Sequence, residues 1–159
     1  INVKTKSLFI ILGNQLFPLN ELNNYKDCQF LMAEDYYLCT YEKHHKHKLI
    51  FFLTSMRKYA LSIKKQKYSL KYYKLNKKNS NLSYEDKIKD CIKNKKISEI
   101  KMYEIEDKFF EKRIINFGKQ NKLTIHFIKS PMFFSSRKDF KSYLSKSQKP
   151  FLATFYKQQ

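Results

Sequence analysis

Residues Ser7 to Leu12, SLFIIL, are apolar from Leu8 onward without a break and end at Gly13. A strand with one wet face alternates, whereas a run apolar at every position fits a strand covered on both sides, as in a parallel sheet. Gln29 to Ala33 repeats the form and ends at Glu34, and strand-like segments recur at Tyr68–Leu75, Glu99–Ile105 and Leu123–Ile128. Between them the apolar period lengthens. Leu49, Phe52, Leu53, Met56, Ala60 and Ile63 predict a helix from about His44 to Lys65, Ile88, Cys91 and Ile92 a short one, and Phe110, Ile114 and Phe117 a third over Asp107–Gln120. Ser83 to Asp86 has capping-box spacing, a hydroxyl followed three residues on by an acid. Strands alternating with helices make βαβ units, and right-handed crossovers force a parallel sheet. The expected fold is therefore α/β: a Rossmann-like parallel five-stranded sheet in the order 3-2-1-4-5, the most apolar strand at its centre, with helices on both faces. Its core should include Phe9, Ile11, Leu31, Phe52, Met56 and Ile125.

After the fifth strand the pattern changes. Ser130 to Phe134 is an apolar loop, Ser135 or Ser136 can cap a short helix through Phe140 and Tyr143, and Pro150 precedes Phe151, Leu152, Phe155 and Tyr156 at helical spacing. That last stripe has nothing after it to cover it, and the chain opens on Ile1. Both ends read as those of a fragment, with an α/β domain over residues 1–130 and a linker with the start of a helix over 131–159.

A chain of 159 residues buries about 70% of its unfolded surface and needs no staples. Cys28, Cys39 and Cys91 are too few for a disulfide framework and form no C-x-x-C pair, so they read as thiols of a reducing compartment. The apolar runs fall far short of the roughly 20 residues that span a bilayer; a cytoplasmic, soluble domain is expected. The net charge of +19 raises a nucleic-acid partner without carrying it, since clustering rather than charge is the electrostatic footprint. With two glycines in the chain, a P-loop or G-x-G-x-x-G is excluded.

Open α/β sheets bind ligands outside the carboxyl ends of their strands. Gly13, Asn14 and Gln15 follow the first strand there, either contacting a ligand or making a tight turn in which glycine supplies an unusual dihedral. Glu34 ends the second strand on the same edge, where it can accept from a ligand or pair with a nearby lysine. Leu38, Tyr41 and Phe52 would supply apolar and aromatic walls. His44, His45, Lys46 and Lys48, with Arg57 further along, form a basic helix start, where cations oppose the helix dipole unless an anion compensates; Glu42 alone does so locally. A metal is not expected there, because His44 and His47 lack a third ligand. His126 reads as a core or edge histidine.

The segments LFIILGNQL (Leu8–Leu16), LMAE (Leu31–Glu34), YEKHHKHK (Tyr41–Lys48), SMR (Ser55–Arg57) and Phe155-Tyr156 occur in this order. As a set they resemble the N-terminal domain of the prokaryotic iron–sulfur photolyase and cryptochrome family, described as deoxyribodipyrimidine photolyase-related proteins, over essentially the whole chain. The resemblance implies a light-driven flavoprotein that repairs pyrimidine (6-4) photoproducts in DNA or signals light. It implies that FAD and an iron–sulfur (4Fe-4S) cluster belong to a C-terminal catalytic domain missing here, and that the N-terminal domain holds an antenna chromophore, 6,7-dimethyl-8-ribityllumazine. The chain departs from the family pattern at Asn14, where Asp is usual, and at Leu38, where an acidic residue lining the antenna pocket is common. Within the resemblance the expected partners are DNA through the full-length parent and the photolyase domain in cis, with no membrane, and the chain itself a monomer without catalytic residues. The alternatives are a free-standing Rossmann-like module for a nucleotide or anion, with the basic helix start as its phosphate site, and a basic nucleic-acid-binding domain.

Overall fold

The computed structural model describes residues 7–93 and 95–157. Within them the chain divides into two compact units at the junction of Phe127 and Ile128.

The first unit carries strands β1 (Ser7–Ile10), β2 (Gln29–Ala33), β3 (Leu70–Tyr73), β4 (Glu99–Tyr103) and β5 (Thr124–Ile128), the last running one residue past the division. They form one parallel sheet in the order β3-β2-β1-β4-β5, as the apolar runs require. Leu8, Phe9 and Ile10 stand opposite Gln29, Phe30 and Leu31 on one side and Ile100, Lys101 and Met102 on the other. Every residue of β1 and β2 is buried.

Successive side chains leave a strand on opposite faces, and the two faces are covered by different helices. Leu8, Ile10, Leu31, Ile100 and Met102 pack with Ile88 and Cys91 of α3 (Tyr84–Ile92) and with Phe110, Ile114 and Phe117 of α4 (Lys108–Gln120). On the opposite face Phe9 meets the rings of Tyr25, Phe30 and Tyr103 at 4.7–5.5 Å. The long helix α2 (Lys46–Lys65) buries Met56, Ala60 and Ile63. A 3-10 segment, Leu19–Tyr25, buries Leu22.

The helix boundaries follow local chemistry. Ser83 and Asp86 close a reciprocal capping box on α3, and Asp107 accepts from the N–H groups of Phe109 and Phe110 to start α4. Helix α2 begins at Lys46 rather than His44, because His45 is its cap: its Nδ1 accepts from His47 N–H at 3.3 Å, a role that a protonated imidazole cannot fill. A five-residue helix, α1 (Tyr36–Thr40), follows β2, its start fixed by Asp35 accepting from Tyr37 N–H.

Of the expected core, Phe9, Ile11, Leu31 and Met56 are buried, but Phe52 and Ile125 are only half-buried. Ile125 lies on the edge strand, and Phe52 forms the wall of an open cavity. His126, on the same edge strand, is exposed and stands 3.2 Å from the Glu99 carboxylate.

The second unit holds α5 (Arg137–Lys146), with a Ser136–Asp139 capping box, and α6 (Leu152–Lys157). The terminal stripe is partly covered after all: Phe155 is buried against the rings of Phe140 and Tyr143, while Phe151, Leu152 and Tyr156 remain exposed. Among the described residues no helix is long and apolar enough to cross a membrane.

Candidate functional site

In a sheet ordered 3-2-1-4-5 the chain turns from one direction of winding to the other between β1 and β4, and the strand ends part there to leave a crevice. A cavity of about 270 Å³ occupies this position. Leu12, Gly13 and Asn14 enter it from the end of β1, Ala33 and Asp35 from β2, and Ile105, Glu106 and Asp107 from β4. Helix α1 supplies Leu38 and Cys39, helix α2 supplies Lys48, Leu49, Phe52 and Met56, and the starts of α3 and α4 supply Tyr84 and Phe110. The walls are mostly apolar, with polar groups gathered at the strand ends and at the start of α2. This is the usual make-up of a small-molecule site.

Gly13 is required by proximity, not by its backbone angles, since no glycine among the described residues has positive φ. A Cβ on it would stand 2.4 Å from Cζ of Phe52 and 2.8 Å from Sδ of Met56. The turn can therefore lie directly against α2, and the Phe52 ring stays at the wall.

At the α1 side the rings of Tyr37 and Tyr41 stack at 5.9 Å, and Tyr41 meets His44 edge-on at 5.8 Å. Tyr84 packs edge-on against Phe110 at 5.2 Å, and its buried hydroxyl has no protein partner. Burial, with Asp35 and Glu85 nearby, pushes that phenol well above its ordinary range.

Several residues singled out from sequence thus line one cavity: Gly13, Asn14, Leu38, Tyr41, His44, Lys48 and Phe52. Others do not. Gln15 is fully buried beside the site, donating to Glu104 O at 2.7 Å and more weakly, at 3.5 Å, to Glu106. Glu34 faces the α2 side, where its carboxylate accepts from Arg57 Nε (2.7 Å) and Nη2 (2.9 Å), Tyr72 OH (2.5 Å) and Leu75 N–H (2.7 Å). Burial alone would raise its pKa, but the hydrogen bonds from Arg57, Tyr72 and Leu75 outweigh it and hold the group below its ordinary value. Glu34 and Arg57 are therefore committed to one another, the partner being an arginine and not the lysine that the sequence suggested, and the acid ties β2 to α2 and to the segment after β3. His45 serves as a helix cap, and Lys46 is exposed outside the cavity. No group of three or more potential metal-ligating His, Cys, Asp or Glu occurs among the described residues.

Nothing in the sequence marked Asp35, Tyr84, Glu106, Asp107 or Phe110 as wall residues. One signal was present: the expected strand order itself puts β4 beside β1, so that whatever follows β4 must border the same crevice.

Fold and crevice together define a Rossmann-like α/β domain with a cavity at its topological switch point. The sequence model of the deoxyribodipyrimidine photo-lyase-related protein family matches residues 9–159, and the chain belongs to that family. No curated protein matches it.

Proposed function

We propose that this chain is the chromophore-holding α/β portion of a photolyase-like flavoprotein, in which a heterocycle in the crevice absorbs light for chemistry carried out elsewhere in the protein. The observation that carries this reading is the apolar, aromatic-walled cavity at the carboxyl ends of β1, β2 and β4. Its size and lining suit 6,7-dimethyl-8-ribityllumazine: Phe52, Phe110 and Leu49 offer apolar surface for the rings, and Asn14, Glu106 and Asp35 offer polar groups for a ribityl chain. When bound, such a group would supply absorption and energy transfer, and these residues would fix its orientation and exclude water. FAD, the iron–sulfur cluster and DNA would engage a catalytic domain in cis, and the parent's activity would be (6-4) photoproduct repair or light signalling.

The second reading, a free-standing nucleotide or anion module, draws on Lys48 and His44 at the start of α2. It is weaker because carboxylates share that same cavity.

Fluorescence titration of 6,7-dimethyl-8-ribityllumazine against the wild type and Leu38→Glu tests the proposal. Saturable binding by the wild type is expected. An added acceptor at position 38 should strengthen it by about 1–2 kcal/mol if one good hydrogen bond is gained. Negligible binding by both proteins rejects the chromophore reading.

A further inference from the structure

Nucleotide-binding α/β folds hold phosphate on the free N–H groups of a helix start, with glycine letting the backbone approach. Around this crevice each helix start already gives one or two of those groups to a side-chain acceptor. At α1 the Asp35 carboxylate accepts from Tyr37 N–H at 2.9 Å. At α4 the Asp107 carboxylate accepts from Phe109 N–H at 2.8 Å and Phe110 N–H at 3.2 Å. Helix α3 is closed by its Ser83–Asp86 box and α2 by the His45 imidazole. Two of these caps are themselves cavity carboxylates, and Glu106 is a third. Glu106 is exposed and holds Asn14 Nδ2 at 3.2 Å, so it is the one acid of the three that starts no helix. Against them the cavity wall carries Lys48 and His44.

We propose, on the basis of the chromophore reading above, that the crevice selects an unphosphorylated, hydroxyl- or N–H-bearing heterocycle and rejects its phosphorylated counterpart, with Glu106 as a specificity-determining residue. The physical reason is twofold. The acids present acceptors to ligand donors, and they repel a phosphate in a partly desolvated cavity where charges interact more strongly than in water. The capped helix starts reduce the compensation that a phosphate would otherwise find.

The matched probes are 6,7-dimethyl-8-ribityllumazine and its 5′-phosphate, titrated by fluorescence at low and high salt. The unphosphorylated compound should bind at least tenfold more tightly, with the ratio falling as salt screens the acids. In Glu106→Gln, which keeps an acceptor oxygen for Asn14, the ratio should shrink several-fold, mainly through tighter binding of the phosphate. Equal or tighter binding of the phosphate by the wild type would overturn the selectivity while leaving the chromophore reading intact. An unchanged ratio in Glu106→Gln would overturn the role of that residue. Failure of both compounds to bind the wild type would instead reject the chromophore reading, and this inference with it.

Discussion

Glu34 and Glu106 stand at the same edge of the sheet, one just past β2 and the other beyond β4, yet their surroundings differ in every respect. The Glu34 carboxylate is wholly enclosed and receives four hydrogen bonds from three residues. Glu106 is exposed, touched by the Asn14 amide at 3.2 Å and by Gln15 at 3.5 Å. A buried carboxylate with its lone pairs filled has nothing left to offer a ligand, and removing it leaves donors stranded. A loosely held one costs the fold little and retains acceptor capacity for a guest. One acid fastens the scaffold and the other faces the cavity.

The largest expected effect lies on the scaffold side. Glu34→Ala strands the Arg57 guanidinium, the Tyr72 hydroxyl and the Leu75 N–H, and should cost about 3 kcal/mol, the low end for a broken buried pair because Arg57 is partly exposed. Denaturant unfolding measures it, and its pH dependence sharpens the point. A folded-state pKa held below the unfolded value of about 4.3 gives stability that is fully present above that value and lost as pH falls through the depressed folded pKa. The wild type should therefore show an acid-side loss that Glu34→Ala lacks in part. Identical acid limbs in the two proteins would break the contrast.

Next in size is Gly13→Ala, which forces Phe52 and Met56 away from the turn. It should cost about 1–2 kcal/mol by overpacking, since side-chain ends rather than backbone must move. It should also weaken ligand binding by displacing the Phe52 ring. Normal affinity in a destabilised variant would separate the glycine's packing role from the site.

The smallest effect is expected at Glu106→Gln, within about 0.5 kcal/mol of wild type in stability. A loss as large as that of Glu34→Ala would erase the distinction between the two acids.

How far each region could be read from the chain depends on how local its causes are. Strand β1 was legible because every residue from Leu8 to Leu12 is apolar, and α3 because Ser83 and Asp86 close their capping box within four residues. Helix α1 was not legible: five residues bury nothing, so no apolar period marks it, and it rests on the single Asp35 cap. The basic cluster from His44 to Lys48 was visible as a block but not as parts, since His45 became a cap, Lys46 stayed outside, and His44 and Lys48 reached the cavity wall. Glu34 looked the same in sequence whether it met a ligand or Arg57. The choice was made by α2 lying across the end of β2.

The sequence alone determined the alternation of strands and helices, the central place of β1 and hence the strand order, because hydrophobic burial and crossover handedness act on patterns that the chain carries locally. The tertiary structure decided which side chains share the crevice. Residues from Leu12 to Phe110 meet there only after β4 docks beside β1, and that meeting is governed by packing between distant segments, for which no local pattern in the chain is a record.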